Sequence, residues 1–330
     1  MKKLFFRALC LLSATALLLT ALASCKKDSE SKDETGSDLC TVTFNSNGGT
    51  YIHDVEVRNG QKASAPTPPT RDNYIFLYWQ HNNTKWDFEF KPITEDITLD
   101  ALWISANSLF NTVPTENPDE ILISGFASQK SIKSLRIPEK INGKTVVGFT
   151  DGAMSAIHDA HAGHIIIPDT VKTVGKGSFM NIDLVHLEFE GAISTLGESS
   201  FEACSHLEHL KLGDGLKTIP YRCFFGASEL SLIDIPEGVT LIDENAFSSC
   251  AALQAAVLPS TLETIADGAF FDSALSVIFF KGTDAQFDAL DIEANNNEII
   301  KAKVYFYSET KPEENGVFWH YDASATPVLW

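Results

Sequence analysis

Three histidines recur at a spacing that invites chemistry. His164, His186 and His209 lie 22 and 23 residues apart, and each stands just before an apolar pair two residues apart: Ile165 with Ile167, Leu187 with Phe189, Leu210 with Leu212. If those pairs are strands in successive turns of one stack, the imidazoles project outward about 4.8 Å apart. Neutral imidazoles at that distance are potential zinc ligands, or would titrate together near pH 6 as a sensor. A polar ladder on a solvated face is the plainer expectation. His158 and His161 fall in an irregular stretch just ahead. Of the six cysteines, Cys10 and Cys25 belong to the N-terminal segment, leaving Cys40, Cys204, Cys223 and Cys250. Cys204 and Cys250 sit two copies apart in the repeat below, about 10 Å at strand spacing, which is too far for a disulfide. Cys204, Cys223 and Cys250 are expected to be buried thiols, and Cys40 a free and exposed one. Nucleophilic and metal-hydrolytic motifs are missing: there is no G-x-S-x-G, no H-E-x-x-H and no P-loop. No enzyme activity and no cofactor are expected.

The elements that must position the histidines are written as a repeat between about 135 and 280. Five phrases open on Ile165, Leu187, Leu210, Ile233 and Ala256 and close on Phe179, Phe201, Phe224, Phe247 and Phe270, always 14 residues later. Leu184, Leu207, Leu230, Leu253 and Leu275 each precede the next opening residue by three. Only the Phe-to-Leu step varies, by one residue, so that step is a loop and the constant ones are stacked columns. Such a chain is a solenoid, in which a single copy cannot bury its own apolar face. Glu188, Lys211 and Asp234 alternate outward between inward residues, and Pro138, Pro168, Pro236 and Pro259 end the opening strands. Small residues precede each Phe (Ser178, Ser200, Cys223, Ala246, Ala269), which predicts a tightly packed column. One position reads Gly175, Gly197, Pro220, Asp243 and Ala266; because Pro fits there, its glycines have no conformational requirement for a positive φ. Leu135 to Met154 carries a five-residue insertion around Asn142-Gly143-Lys144, and Ile121 to Phe126 reads as a partial leading copy. The pattern is expected to stop after Ile278 and Phe280. Residues 283–330 would then cap the array, with a helix over Asp284–Asp291, a strand over Val304–Tyr307, and the aromatic residues Trp319, Tyr321 and Trp330 with His320 covering its apolar end.

Residues 1–25 have a basic start (Lys2, Lys3, Arg7) and an apolar run from Ala8 to Ala23, the pattern of a secretory signal peptide. Leu22-Ala23-Ser24-Cys25 resembles a bacterial lipobox, which implies lipidation of Cys25 and a tether that anchors without spanning the membrane. Residues 26–39 are polar and charged, a flexible linker unable to form a core. Net charge is −19, and −22 once Lys2, Lys3 and Arg7 are removed with the leader. With no basic cluster to neutralise phosphates, a nucleic-acid partner is excluded.

Residues 40–103 alternate as strands (Val42 and Phe44; Val55 and Val57; Ile97, Leu99 and Ala101), with turns at Asn47-Gly48-Gly49 and Asn59-Gly60. Aromatic residues at 44, 74, 76, 79, 86, 88 and 103 are expected to fill the core. This stretch resembles the internalin-type B repeat, also called the Listeria–Bacteroides repeat, a small β-grasp-like module. The resemblance rests on Val42-Thr43-Phe44, Asn47-Gly48-Gly49, the Pro66–Pro69 to Tyr74 stretch, Trp79, Leu99 and Trp103. The chain departs from that family at Asn73 and Tyr78, where glycine is usual. The array phrase, clearest at Ile233 to Leu253, is similar to the BspA-like leucine-rich repeat. The fold class these resemblances imply is mainly β, a leucine-rich-repeat solenoid (residues 104–282) preceded by a small β-grasp-like domain (40–103). They imply a lipoprotein of the bacterial envelope, exposed on the outer-membrane surface, that binds host-matrix or bacterial surface proteins. The expected contact face is Arg136, Glu188, Lys211 and Asp234, with His164, His186 and His209 beside it. Two other readings stay open: glycan capture by the C-terminal aromatics, and metal binding by the histidines.

Overall fold

The structure is a computed structural model that describes residues 38–127, 134–155, 163–313 and 316–330. The leader, Cys25, nearly all of the expected linker, and His158 and His161 lie outside the described residues. Leu39–Trp330 forms one compact unit.

The first part of that unit is a five-stranded mixed sheet, ordered Val55–Arg58, Leu39–Asn45, Ile97–Ser105, Tyr74–His81, Thr84–Lys85. Its central pair is parallel, with Val42 opposite Ile97 and Phe44 opposite Leu99. Val42, Phe44, Trp79, Ile93, Leu99 and Ala101 make the core. Gly49 has a steric reason: a Cβ there would lie 2.5 Å from the Trp103 ring, whose indole N–H donates to the Ser46 carbonyl at 2.9 Å. Both departures from the family pattern find a local solution. Asn73 adopts φ 65°, a left-handed backbone that Asn tolerates better than most residues. Tyr78 stays in the strand opposite Leu102, beside a register shift between Phe76 and Tyr78. Two expectations are corrected. Cys40 is buried in this core, not exposed, because its strand position alternates with outward Leu39 and Thr41. Tyr74 is exposed, its ring capped by the Arg71 guanidinium at 3.9 Å rather than by the core.

The array has three sides. On the first, the opening strands Ser134–Arg136, His164–Ile167, His186–Phe189 and His209–Lys211 form one parallel sheet, and Leu232–Asp234, Ala255–Leu258, Val277–Phe280 and Lys303–Tyr307 run parallel in the next, with Phe318–Tyr321 added in parallel beyond them. On the second, short strands pair in the same order, with Thr173 opposite Thr195 and Val174 opposite Leu196. The third carries the phenylalanines, all buried and stacked with centroids 5.1, 5.5, 5.4 and 5.3 Å apart. Each of the first four Phe N–H groups donates to the next copy, to the carbonyls of Ser200, Cys223, Ala246 and Ala269. That backbone is left-handed two residues before and two after each Phe, at Ser199 and Ala203 or Arg222 and Gly226, for example. A non-glycine residue there is strained by about 1–3 kcal/mol, which the stacking and the interlocked carbonyls sustain.

Gly175 and Gly197 lack positive φ, as expected, yet they are needed for another reason. A Cβ at Gly197 would meet the Lys176 nitrogen at 2.4 Å, and one at Gly175 the Asp151 nitrogen at 2.5 Å. The glycines let adjacent turns approach closely. Where the position changes to Pro220 the second-side ladder breaks, between Thr195–Leu196 and Thr218–Ile219. The opening-strand ladder breaks one step later, after His209–Lys211, while the Phe column runs through unbroken.

At the front, Glu120–Phe126 pairs in parallel with Lys144–Phe149, so the leading copy exists, and Phe110–Pro114 closes its edge as a hairpin. Asn142 and Gly143 are both left-handed, forming the turn of the inserted hairpin. At the far end the repeat does not stop at Phe280. A helix, Asp284–Asp288, begins with a Thr283–Gln286 capping box and is shorter than expected. Asp291–Ile292 then rejoins the second side, and Val304 stacks on Ile278. The last Phe N–H, that of Phe270, meets the side-chain oxygen of buried Asn296 at 3.2 Å. A side-chain amide thus replaces the carbonyl that another copy would have offered.

Candidate interaction face

The outward residues of the opening strands divide into two halves. In the first half they are Arg136, Ile166, Glu188 and Lys211, with Ser134, His164, His186 and His209 in the row before them. Short strands, two of them followed by Pro138 and Pro168 and two by Gly191 and Gly213, hold these side chains in register across a parallel ladder. Arg136 makes a two-pronged pair with Glu190, its second arm at 2.5 Å. Lys211 reaches Glu188 at 2.6 Å, and His209 lies 3.9 Å from Glu208. Glu190 and Glu188 are therefore already matched by cations. His164 and His186 stack at 4.9 Å with planes 9° apart, and His209 follows at 5.8 Å, tilted by 52°. Burial, then the neighbouring imidazoles His164 and His209, lower the pKa of His186 below its ordinary value.

Stacked rings do not suit zinc. Their nitrogen lone pairs run in parallel planes, whereas zinc draws imidazole nitrogens to about 2.0–2.1 Å of one point. Among the described residues no group of three or more His, Cys, Asp or Glu is placed to hold a metal.

The second half differs. Its outward and preceding residues include Leu232, Ala255, Val257, Val277, Phe279 and Tyr305, and they pack beneath Trp319 and Tyr321. Those two aromatics belong to the hairpin Phe318–Tyr321 and Pro327–Leu329, which extends the same sheet. Trp319 is fully buried, and its indole donates to the Phe280 carbonyl at 3.1 Å. Asp234, expected on the free contact face, is instead the hairpin's anchor. Its carboxylate accepts from the Tyr321 hydroxyl at 2.6 Å and from the Lys281 ammonium at 2.9 Å. Burial and that carboxylate push the Tyr321 phenol well above its usual range.

The aromatic end accordingly covers the outward strand face, not the apolar end of the array. Trp319 has no free face for a sugar, and His320 and Trp330 stack on each other at 3.7 Å. Glu190, Ile166 and Lys281 were absent from the sequence expectation, and Tyr321 was expected at the array's end rather than on Asp234. A signal was present: an apolar outward column at Val257 and Phe279 requires a cover.

Cys204, Cys223 and Cys250 lie beneath both halves, fully buried. Burial raises each thiol to about 12. Cys204 and Cys250 donate to the carbonyls of Phe179 and Phe224 at 3.2 and 3.3 Å. They are packing groups rather than nucleophiles.

Comparison with known proteins places this geometry. Residues 155–276 match the BspA type leucine-rich repeat region in six copies, and residues 41–102 match the Listeria–Bacteroides repeat domain. The chain carries both modules. A leucine-rich cell surface protein from Faecalibacterium prausnitzii shares the fold, with TM-score 0.51 and 22% identity over 67% of this chain and 59% of that one. Two proteins from Evansella cellulosilytica, one named as a membrane protein and one as a Gly-rich membrane protein, match at 38% over 69 residues and 35% over 66. These matches cover 20% and 19% of this chain, which spans only 10% and 8% of the two relatives' lengths.

Proposed function

We propose that this chain is a surface lipoprotein of the bacterial envelope, lipid-anchored at Cys25, whose array binds a protein partner. The repeat type suggests a protein-interaction or adhesion role, and such repeats are generally non-enzymatic. The observation that carries the reading is the contrast within one sheet. Where the outward column is apolar the chain covers it with its own hairpin. Where it is polar, at Glu188 and Lys211 with the three histidines, the side chains pair laterally instead, and at the near end residues 67–77 of the first module border Arg136 and Ile166. Mixed, paired charges of this kind give register and selectivity rather than bulk affinity. The partner is a matrix or bacterial surface protein, and the membrane is met only through the lipid.

The test applies the full chain, in detergent, to arrays of matrix proteins, bacterial surface proteins and glycans. Protein capture that drops at least tenfold in the Arg136→Glu, Lys211→Glu double variant supports the reading. Capture of glycans alone, or protein capture indifferent to that change, sinks it.

A further inference from the structure

The histidine ladder adds a directional property to this face. Among the described residues, the charged groups beside the imidazoles come from three strands and their ends, Arg136, Glu188 with Glu190, Glu208 and Lys211, with Arg71, Asp72 and Glu139 bordering the Arg136 end. Those beside the imidazoles are committed to one another, Arg136 to Glu190, Lys211 to Glu188, and Glu208 beside His209. Two cations thus stand against three carboxylates, a small negative excess while the imidazoles are neutral. His164, His186 and His209 stand in a row that crosses the strands, and imidazole is the side-chain type whose charge ordinarily changes in mild acid.

The row also has a length scale. Its intervals are 4.9 and 5.8 Å. Side chains on one face of an extended strand repeat at about 6.6–6.8 Å. Along a helix, residues three and then four apart advance by about 4.5 and about 6.0 Å, and such residues share a face. A helix lying along the row, with carboxylates at i, i+3 and i+7, meets one imidazole per carboxylate; a strand drifts out of step. Although the chain is acidic overall, charges beyond about 8 Å are screened at physiological salt, so the local row decides the contact.

We propose that the face holds the acidic side of a helix in a protein partner, and does so in mild acid, when the histidine row becomes cationic. This rests on the protein-binding reading above. Acid also works against the stack itself, since protonating neighbouring rings is unfavourable; a carboxylate row alongside supplies the compensating charge, which links binding to proton uptake.

The probe is a helix-locked peptide with Glu at i, i+3 and i+7, its Gln counterpart, an extended Pro-rich peptide of equal charge, and a heparin oligosaccharide. Binding to the full chain is read by fluorescence anisotropy at pH 5.5 and 7.5, where Glu remains ionised. The Glu helix is expected to bind at least tenfold tighter at pH 5.5. That gain should disappear in the His164→Gln, His186→Gln, His209→Gln variant, and shrink in the single His186→Gln variant if the triple one misfolds. A gain that is absent, or that survives the substitutions, overturns the proposal. So does equal or tighter binding of the extended peptide or of heparin. If the helix fails while the arrays still show capture dependent on Arg136 and Lys211, this inference is wrong and the protein-binding reading stands.

Discussion

The two halves of the opening-strand face have the same backbone and opposite fates. From Arg136 to Lys211 the outward side chains, Ile166 and Ser134 apart, are charged or imidazole and pair laterally. From Leu232 to Tyr305 they are largely apolar and are roofed by Trp319 and Tyr321. A parallel ladder specifies where side chains stand, not whether they meet water. In the second half the sheet became the floor of a small second core, and the first half was left as surface. Asp234 marks the border, outward like Glu188 but held by Lys281 and Tyr321.

The comparison breaks most visibly at Trp319. Trp319→Ala empties the second core and is expected to cost about 3–5 kcal/mol, read by chemical denaturation. The loss should be local, so the Cys250 thiol becomes reactive to a labelling reagent before Cys204 does. Equal labelling of both would mean that the halves open as one and that the division carries no energetic weight.

Tyr321→Phe is a gentler probe. It removes one donor from a partly exposed carboxylate that keeps Lys281, so about 1 kcal/mol is expected. The measurement is the denaturation midpoint against wild type, with hairpin backbone exchange rising before that of His186–Phe189.

The smallest effect belongs to the first half. The folded-state pKa of His186 is lowered, so the unfolded chain takes the proton more readily. Its contribution is intact above about pH 6.5, is lost as pH falls through that value, and changes no further once pH is below the folded-state pKa. A fall in unfolding temperature of about 2 °C between pH 7.5 and 5.5 is expected, and His186→Gln should flatten that part of the profile. An identical slope in the variant would remove His186 as the source.

Much of this was legible in one dimension. The constant 14-residue step from Ile165 to Phe179, and its four successors, already implied stacked columns, because only residues that must coincide in every turn keep a fixed interval. The outward direction of Glu188 and Lys211 followed from alternation. The left-handed positions were harder, since Ser199, Ala203 and Arg222 occupy them and only Gly or Asn announces such a conformation. The continuation through Asp291–Ile292 was hidden because the helix Asp284–Asp288 interrupts the period.

The sequence by itself determined the repeat, its inward columns and the row of histidines, since each depends on local periodicity and on contacts between residues a constant distance apart. Tertiary structure decided which part of the outward face remains surface. That choice depends on Trp319 and Tyr321 returning to Val257 and Asp234, an encounter between segments more than sixty residues apart in the chain. No period records such an encounter; it is set by where an apolar strand face and an apolar hairpin can exclude water together.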